Sequence, residues 1–197
     1  MTETTMAKLK FRFDSRRAAE AASRFTELAG GSIDIVRLMK LLYLAERRSL
    51  ELHRRPMFGD RYVSMKHGPV VSHSYNLLKS GPDAKAEERS EDVDLWAAHF
   101  IRDGYMVRLQ QRVAPATLSR ADIEVINAVH DEWRSTDTWA MVEKLHASLK
   151  EWRNPGKTST AIAVEDICAA LRLKDNEVQD IQDQVQADLA MAKVLQD

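Results

Sequence analysis

Apolar residues along the chain recur mainly at the three-and-four spacing of helices, with a few short alternating runs between them. Asp14 and Ser15 place short oxygen acceptors ahead of an alanine-rich stretch, which predicts a helix to about Ala29. Gly30 and Gly31 should end it, because glycine accepts the left-handed backbone that follows a C-cap. Residues 1–10 are expected to fray. Ser32 is the expected start of the next helix, which carries one apolar stripe of Leu38, Leu41, Leu42 and Ala45 and another of Val36, Met39, Tyr43 and Leu50. A helix apolar over so wide an arc is covered on most sides. It is the expected central helix, emerging into solvent at Glu46, Arg47 and Arg48.

Pro56 and Gly59-Asp60 then predict a turn. From Arg61 to His67 the chain alternates, with Tyr62, Ser64 and Lys66 opposite Val63 and Met65, which reads as a short strand ended by Gly68-Pro69. Ser72 should cap a helix that turns Tyr75 and Leu78 inward and closes at Gly81-Pro82. The charged run Asp83–Asp92 is expected to be a mobile loop. Val93–Asp103 suggests a short helix with Leu95, Ala98 and Phe100 inward. Gly104–Val113 has strand character and is expected to pair with residues 61–66.

Ser119 and Asp122 resemble a capping box with a shorter acid, opening a helix whose buried stripe is Ile123, Ile126, Val129 and Trp133. Thr138–Leu149 carries Met141, Val142, Leu145 and Leu149. A further helix should start at Thr158 or Ser159 and bury Ile162, Val164, Ile167, Cys168 and Leu171. Asp175 should cap a last helix with Val178, Ile181, Val185, Leu189 and Ala192 on one side. The expected fold is mainly α: a compact helical domain over residues 11–173, with a small two- to three-stranded antiparallel β element. Residues 174–197 form a C-terminal amphipathic helix, either docked on the body or free to bind a partner.

Composition narrows the function classes. Hydrophobic residues make up 44% and charged residues 30%, and net charge is −1. That is ordinary for a globular protein and gives no overall drive toward nucleic acid or membrane. No apolar run approaches the roughly 20 residues that span a bilayer, and the first 13 residues lack the features of a signal peptide. The single cysteine, Cys168, excludes an internal disulfide and cysteine-based zinc clusters. A reducing cytoplasm is the expected location. Charge is uneven: arginines crowd the first third, and the tail is acidic.

Candidate chemistry is sparse. The six histidines form no HExxH pair. Glu143 and His146 share a helix face, but di-iron bundles need two such pairs and two further glutamates, so neither metal nor cofactor is expected. There is no G-x-S-x-G elbow. Ser72, His73 and Ser74 are adjacent in sequence, whereas a triad is assembled in space. Cys168 reads as a small core residue. Gly30-Gly31-Ser32 reads as a C-cap followed by an N-cap rather than a phosphate loop. The arginine pairs at 16–17, 47–48 and 54–55 read as solvated helix ends in preference to phosphate contacts.

Two stretches together resemble a known family. LMKLLYLAER (Leu38–Arg47), followed by PMFGDRYVSMKHGPVVSHSYNLLKSG (Pro56–Gly81), is similar to the Panacea domain of SocA-like antitoxins and phage-associated proteins. The motif positions are Lys40, Leu41, Leu42, Tyr43, Gly68, Pro69, Val70 and Tyr75. TLSRADIEVINAVHDEW and LHASLKEWRNPGK resemble the second half of that family, and the resemblance covers about residues 30 to 170. It implies an antitoxin that neutralises a toxin by binding it, or an adaptor that delivers the toxin to an ATP-dependent protease, and it implies no catalytic residues. The expectation is therefore a cytoplasmic antitoxin, not an enzyme. Its toxin should be bound through an exposed loop at Arg54, Arg55, Met57, Phe58 and Asp60, and through the acidic terminal helix. The alternatives are a DNA-binding transcriptional regulator using the N-terminal arginines, and a hydrolase built on Ser72, His67 and His73.

Overall fold

The computed structural model describes residues 9–81 and 84–194. Among these the chain forms eight α-helices and two small three-stranded antiparallel sheets around one hydrophobic core. The mainly helical expectation holds.

Helix α1, Ser15–Leu28, starts where the Asp14 side chain accepts from the backbone N–H of Arg17. Its alanines are fully buried, so small side chains let it lie close to its neighbours. The next helix does not begin at Ser32. Ser32–Asp34 forms strand β1, and Asp34 is the cap of helix α2, Ile35–His53, accepting from Val36 and Arg37. Helix α2 is the central helix, buried from Ile35 to Leu50, and it buries Lys40 and Glu46 along with its apolar residues. The expectation that it surfaces at Glu46 is corrected here: Glu46 is fully enclosed, and the reason lies in the loop that follows.

Strand β2, Tyr62–Met65, turns through Lys66 and His67 into strand β3, Gly68–Val71, with Met65 opposite Gly68 and Tyr62 opposite Val71. Gly68-Pro69 therefore opens a second strand instead of ending the first. Proline is tolerated because β3 is an edge strand. The Ser64–Pro69 pair follows the closing pair of a two-residue turn, so its amides face away from the partner strand and no ladder bond is lost.

Helix α3, Ser72–Ser80, has no side-chain cap from Ser72. Asp60 fills that role from across the hairpin, accepting from the backbone N–H of His73 and Ser74. The helix phase differs from expectation in consequence. Ser74 and Leu78 are buried, while Tyr75 is half-buried at the core's edge and not an anchor within it.

Within the charged run, Ala86–Glu88 makes a short 3-10 turn and Ser90 caps helix α4, Glu91–His99. The chain then leaves the helix at Phe100. Strand β4, Phe100–Asp103, turns at Gly104-Tyr105 into β5, Met106–Leu109, and β1 completes the sheet in the order β1-β5-β4. The expected pairing of this segment with residues 61–66 is thus wrong. A two-residue turn makes the nearest strand in sequence the available partner.

Helix α5, Arg120–Trp133, opens with the expected capping box, Ser119 and Asp122 bonding reciprocally. Helix α6, Thr138–Ser148, is capped by Asp137. Thr160–Ala161 forms β6 on the free side of β2 where a helix start was expected, and helix α7 runs Val164–Ala170. Helix α8, Asp175–Val194, buries Ile181 and Val185 in the common core. The side chains of Leu189 and Ala192, expected on the same face, lie outside the described residues. No described helix is long and apolar enough to cross a membrane.

Candidate functional site

Helix α2 carries polar side chains at 40, 43, 46 and 47, which tie the helix to three other parts of the chain: the Gly68-Pro69 step, Glu151 and the loop at residues 57–59. Lys40 is buried, and its Nζ donates to the carbonyl oxygen of Pro69 at 2.7 Å. Burial pulls its amine down to about 7. Gly68 lies directly over it with φ +101, and a Cβ there would sit 3.0 Å from Lys40 Cε and 3.6 Å from His146 Nε2. Only glycine fits this conformation and this space.

His146 of α6 closes the same corner. Its ring is stacked on Trp152, with centroids 3.8 Å apart and planes 3° from parallel, and Trp152 Nε1 donates to the Met65 carbonyl at 3.0 Å. His67, at the hairpin turn, meets Trp139 edge-on at 5.2 Å. Trp139 is 57% exposed. Lys40, the Gly68-Pro69 step and the His146–Trp152 segment are far apart in sequence and form one corner of the molecule.

One turn along α2, the Tyr43 hydroxyl donates to Glu151 Oε1 at 2.8 Å, and Arg47 Nε reaches the same oxygen at 2.8 Å. Burial beside Glu151 pushes the Tyr43 phenol well above its ordinary range. Another turn along, Glu46 accepts the backbone N–H groups of Met57, Phe58 and Gly59 at 2.8, 3.1 and 2.7 Å. Burial raises this carboxyl to about 7, against the opposing pull of those donors. Leu41, Leu42 and Val70 of the motif are core residues. The motif is therefore scaffold: it fastens the central helix to the hairpin and to the loop before it.

That clamp decides the fate of the loop expected to bind a partner. Met57, Phe58 and Asp60 are buried, not exposed, because Glu46 holds the backbone of residues 57–59 from inside and Asp60 caps α3. Arg54 pairs with Glu177 of α8, and Arg55 with Asp122 at 2.8 Å. The outer side of the loop lines a groove of about 1000 Å³, together with Arg12, Phe13, Glu91, Asp92 and Gln184.

Arg16 is half-exposed and pairs with Glu20 on its own helix, as a solvated helix end would, but most of the other arginines are not solvated helix ends. Arg17 bonds Asp122 and the Thr117 carbonyl, both at 2.8 Å, and Arg37 bonds the Trp133 carbonyl at 2.6 Å. Arg47 holds Glu151, and Arg48 holds Glu132 at 2.8 Å. They brace α1 and α2 against α5 and the segment after α6. Sequence reasoning missed this because an arginine beside another arginine resembles surface, whatever carbonyls lie beneath it.

The hydrolase candidates do not converge. His67 is at the hairpin turn, Ser72 and His73 at the far end of β3, and no hydrogen bond among the described residues joins Ser72 to either histidine. His73 leans on Asp60 at 3.2 Å and stacks on Phe13. Cys168 is buried, and burial pushes its thiol up to about 11. No group of three or more potential metal ligands occurs among the described residues.

No curated protein and no solved structure matches the chain. The family described as "Antitoxin SocA-like, Panacea domain" matches residues 38–153, from the first turns of α2 to just past Trp152. That span takes in Lys40, Gly68, Pro69, His146 and Trp152, the residues that meet at the corner, and more than half of the sequence. The chain belongs to the SocA-like antitoxin family with the Panacea domain.

Proposed function

We propose that this chain is a cytoplasmic antitoxin that neutralises a cognate protein toxin by binding it directly. Family membership over residues 38–153 is the observation that carries the reading. The orientation of the motif gives it a physical form. Lys40, Tyr43, Glu46 and Gly68 point inward and hold the fold together, so recognition falls to side chains outside the motif. Exposed apolar residues suited to such a contact are Trp139 on α6 and Ile101, Tyr105 and Met106 on the β4–β5 hairpin. Helix α8 adds an acidic, partly apolar surface beyond the matched span.

Delivery to an ATP-dependent protease is a variant of the same reading, since an adaptor must also hold the toxin. DNA binding through the N-terminal arginines is less well supported, because Arg17, Arg37, Arg47 and Arg48 are engaged within the chain. Co-expression with the product of the neighbouring gene tests the proposal. The expected result is restored growth and a co-purifying complex. Continued lethality with no complex would contradict it.

A further inference from the structure

His146 stands between an aromatic face and a buried cation. One face of its ring lies flat on Trp152. Its Nε2 edge turns toward the space that Gly68 leaves by having no Cβ. A methyl group there would be 3.6 Å from His146 Nε2 and 3.3 Å from Lys40 Nζ, so both nitrogens border one gap. Lys40 Nζ has the Pro69 carbonyl. His146 Nε2 is buried and has no hydrogen-bond partner among the described residues.

The titratable groups that act on His146 are Lys40 from α2, His67 from the β2–β3 turn and Glu143 from its own helix, one turn earlier. Burial, then Lys40 and His67, hold the imidazole below its ordinary range, and Glu143 opposes them. A proton on Nε2 would put an N–H into a gap with no acceptor, beside a lysine amine. Rotation out of the stack relieves both. The ring is only half-buried, and Glu143 is exposed on the solvent side of the same helix.

We propose that His146 is a proton-operated latch on the Gly68-Pro69 corner: neutral, it lies on Trp152 and closes the gap, and protonated, it swings toward Glu143 and uncovers Trp152. The release reaches the hairpin, because Trp152 Nε1 donates to the Met65 carbonyl and the Arg153 N–H to Ser64 Oγ. The latch belongs to the free chain and stands apart from toxin binding, so either can fail without the other.

The test is nuclear magnetic resonance on the full chain from pH 8 to pH 5, following the His146 ring and the Trp152 indole N–H. His146 should titrate below its ordinary 6.5. The Trp152 signal should move with the same midpoint, and its exchange with solvent should quicken about tenfold as the cover is lost. His146→Phe keeps a flat ring on Trp152 but takes no proton, and should abolish the transition. Lys40→Met should move the His146 midpoint upward, and Glu143→Gln, on the surface, should move it downward. A Trp152 signal that ignores the His146 titration overturns the latch. So does an unchanged transition in His146→Phe, or a His146 midpoint that moves in neither of the other variants.

Discussion

Lys40 Nζ and the carbonyl oxygen of Pro69 are 2.7 Å apart, beside a glycine where a Cβ would crowd Lys40 Cε at 3.0 Å. This single bond joins the central helix to the edge strand of the hairpin, and it does so with an amine that burial has brought down to about 7.

Gly68→Ala should be the most informative small change at the corner. The residue would have to hold φ +101 and press a methyl against Lys40 Cε at 3.0 Å. Left-handed strain and the displaced lysine together should cost about 1–3 kcal/mol. Urea unfolding should show a lower midpoint with an unchanged slope.

The lysine itself should make stability depend on pH. Its folded value, about 7, lies below the ordinary 10.5. Between those values the unfolded chain binds the extra proton, so stability should rise with pH from about 7 toward 10.5, at up to roughly 1.4 kcal/mol per pH unit. Lys40→Met should flatten that slope. The measurement is the unfolding free energy of both proteins at pH 7, 8.5 and 10.

Glu46 should act with the opposite sign in a lower window. Its carboxyl is raised from 4.5 to about 7, so the folded chain holds the extra proton and stability should fall as pH rises through that range. Glu46→Gln should remove the slope. Glu46→Ala should do more harm, about 2–5 kcal/mol at any pH, because it leaves the buried N–H groups of residues 57–59 without an acceptor. Thermal unfolding at pH 5 and pH 7.5 separates the two effects.

Tyr43→Phe should cost about 1–3 kcal/mol, since the buried Glu151 loses one donor and keeps Arg47. The fold should survive, and a lower melting temperature with unchanged circular dichroism is the expected record.

Much of the helical frame was legible from the sequence because its signals are local. Asp14 ahead of an alanine run, and Ser119 three residues before Asp122, announce their helices without help from the rest of the chain. The strands were not legible to the same degree. Their pairing rests on two-residue turns at Lys66-His67 and Gly104-Tyr105, and four-residue strands carry little periodicity. The clamp was the hardest part to see. A glutamate followed by two arginines reads as a helix surfacing, yet Glu46 is enclosed because the chain after Pro56 folds back and offers it its backbone N–H groups. The same event buried the loop that composition had placed outside. Tyr75 shows a smaller version of this effect: Asp60, thirteen positions before His73, accepts the first free N–H groups of α3 in place of Ser72, and Tyr75 ends half-buried at the core's edge.

Because the family motif builds the body, as Lys40, Tyr43 and Gly68 do, the proposed toxin contact falls to exposed side chains. The most direct measurement is the affinity of the purified chain for the purified product of the neighbouring gene, in solution, for the native sequence and for Trp139→Ala combined with Tyr105→Ala. The expected result is a one-to-one complex with the native chain and binding weakened about tenfold or more by the double substitution, with the fold intact. A toxin that shows no binding to the native chain would contradict it.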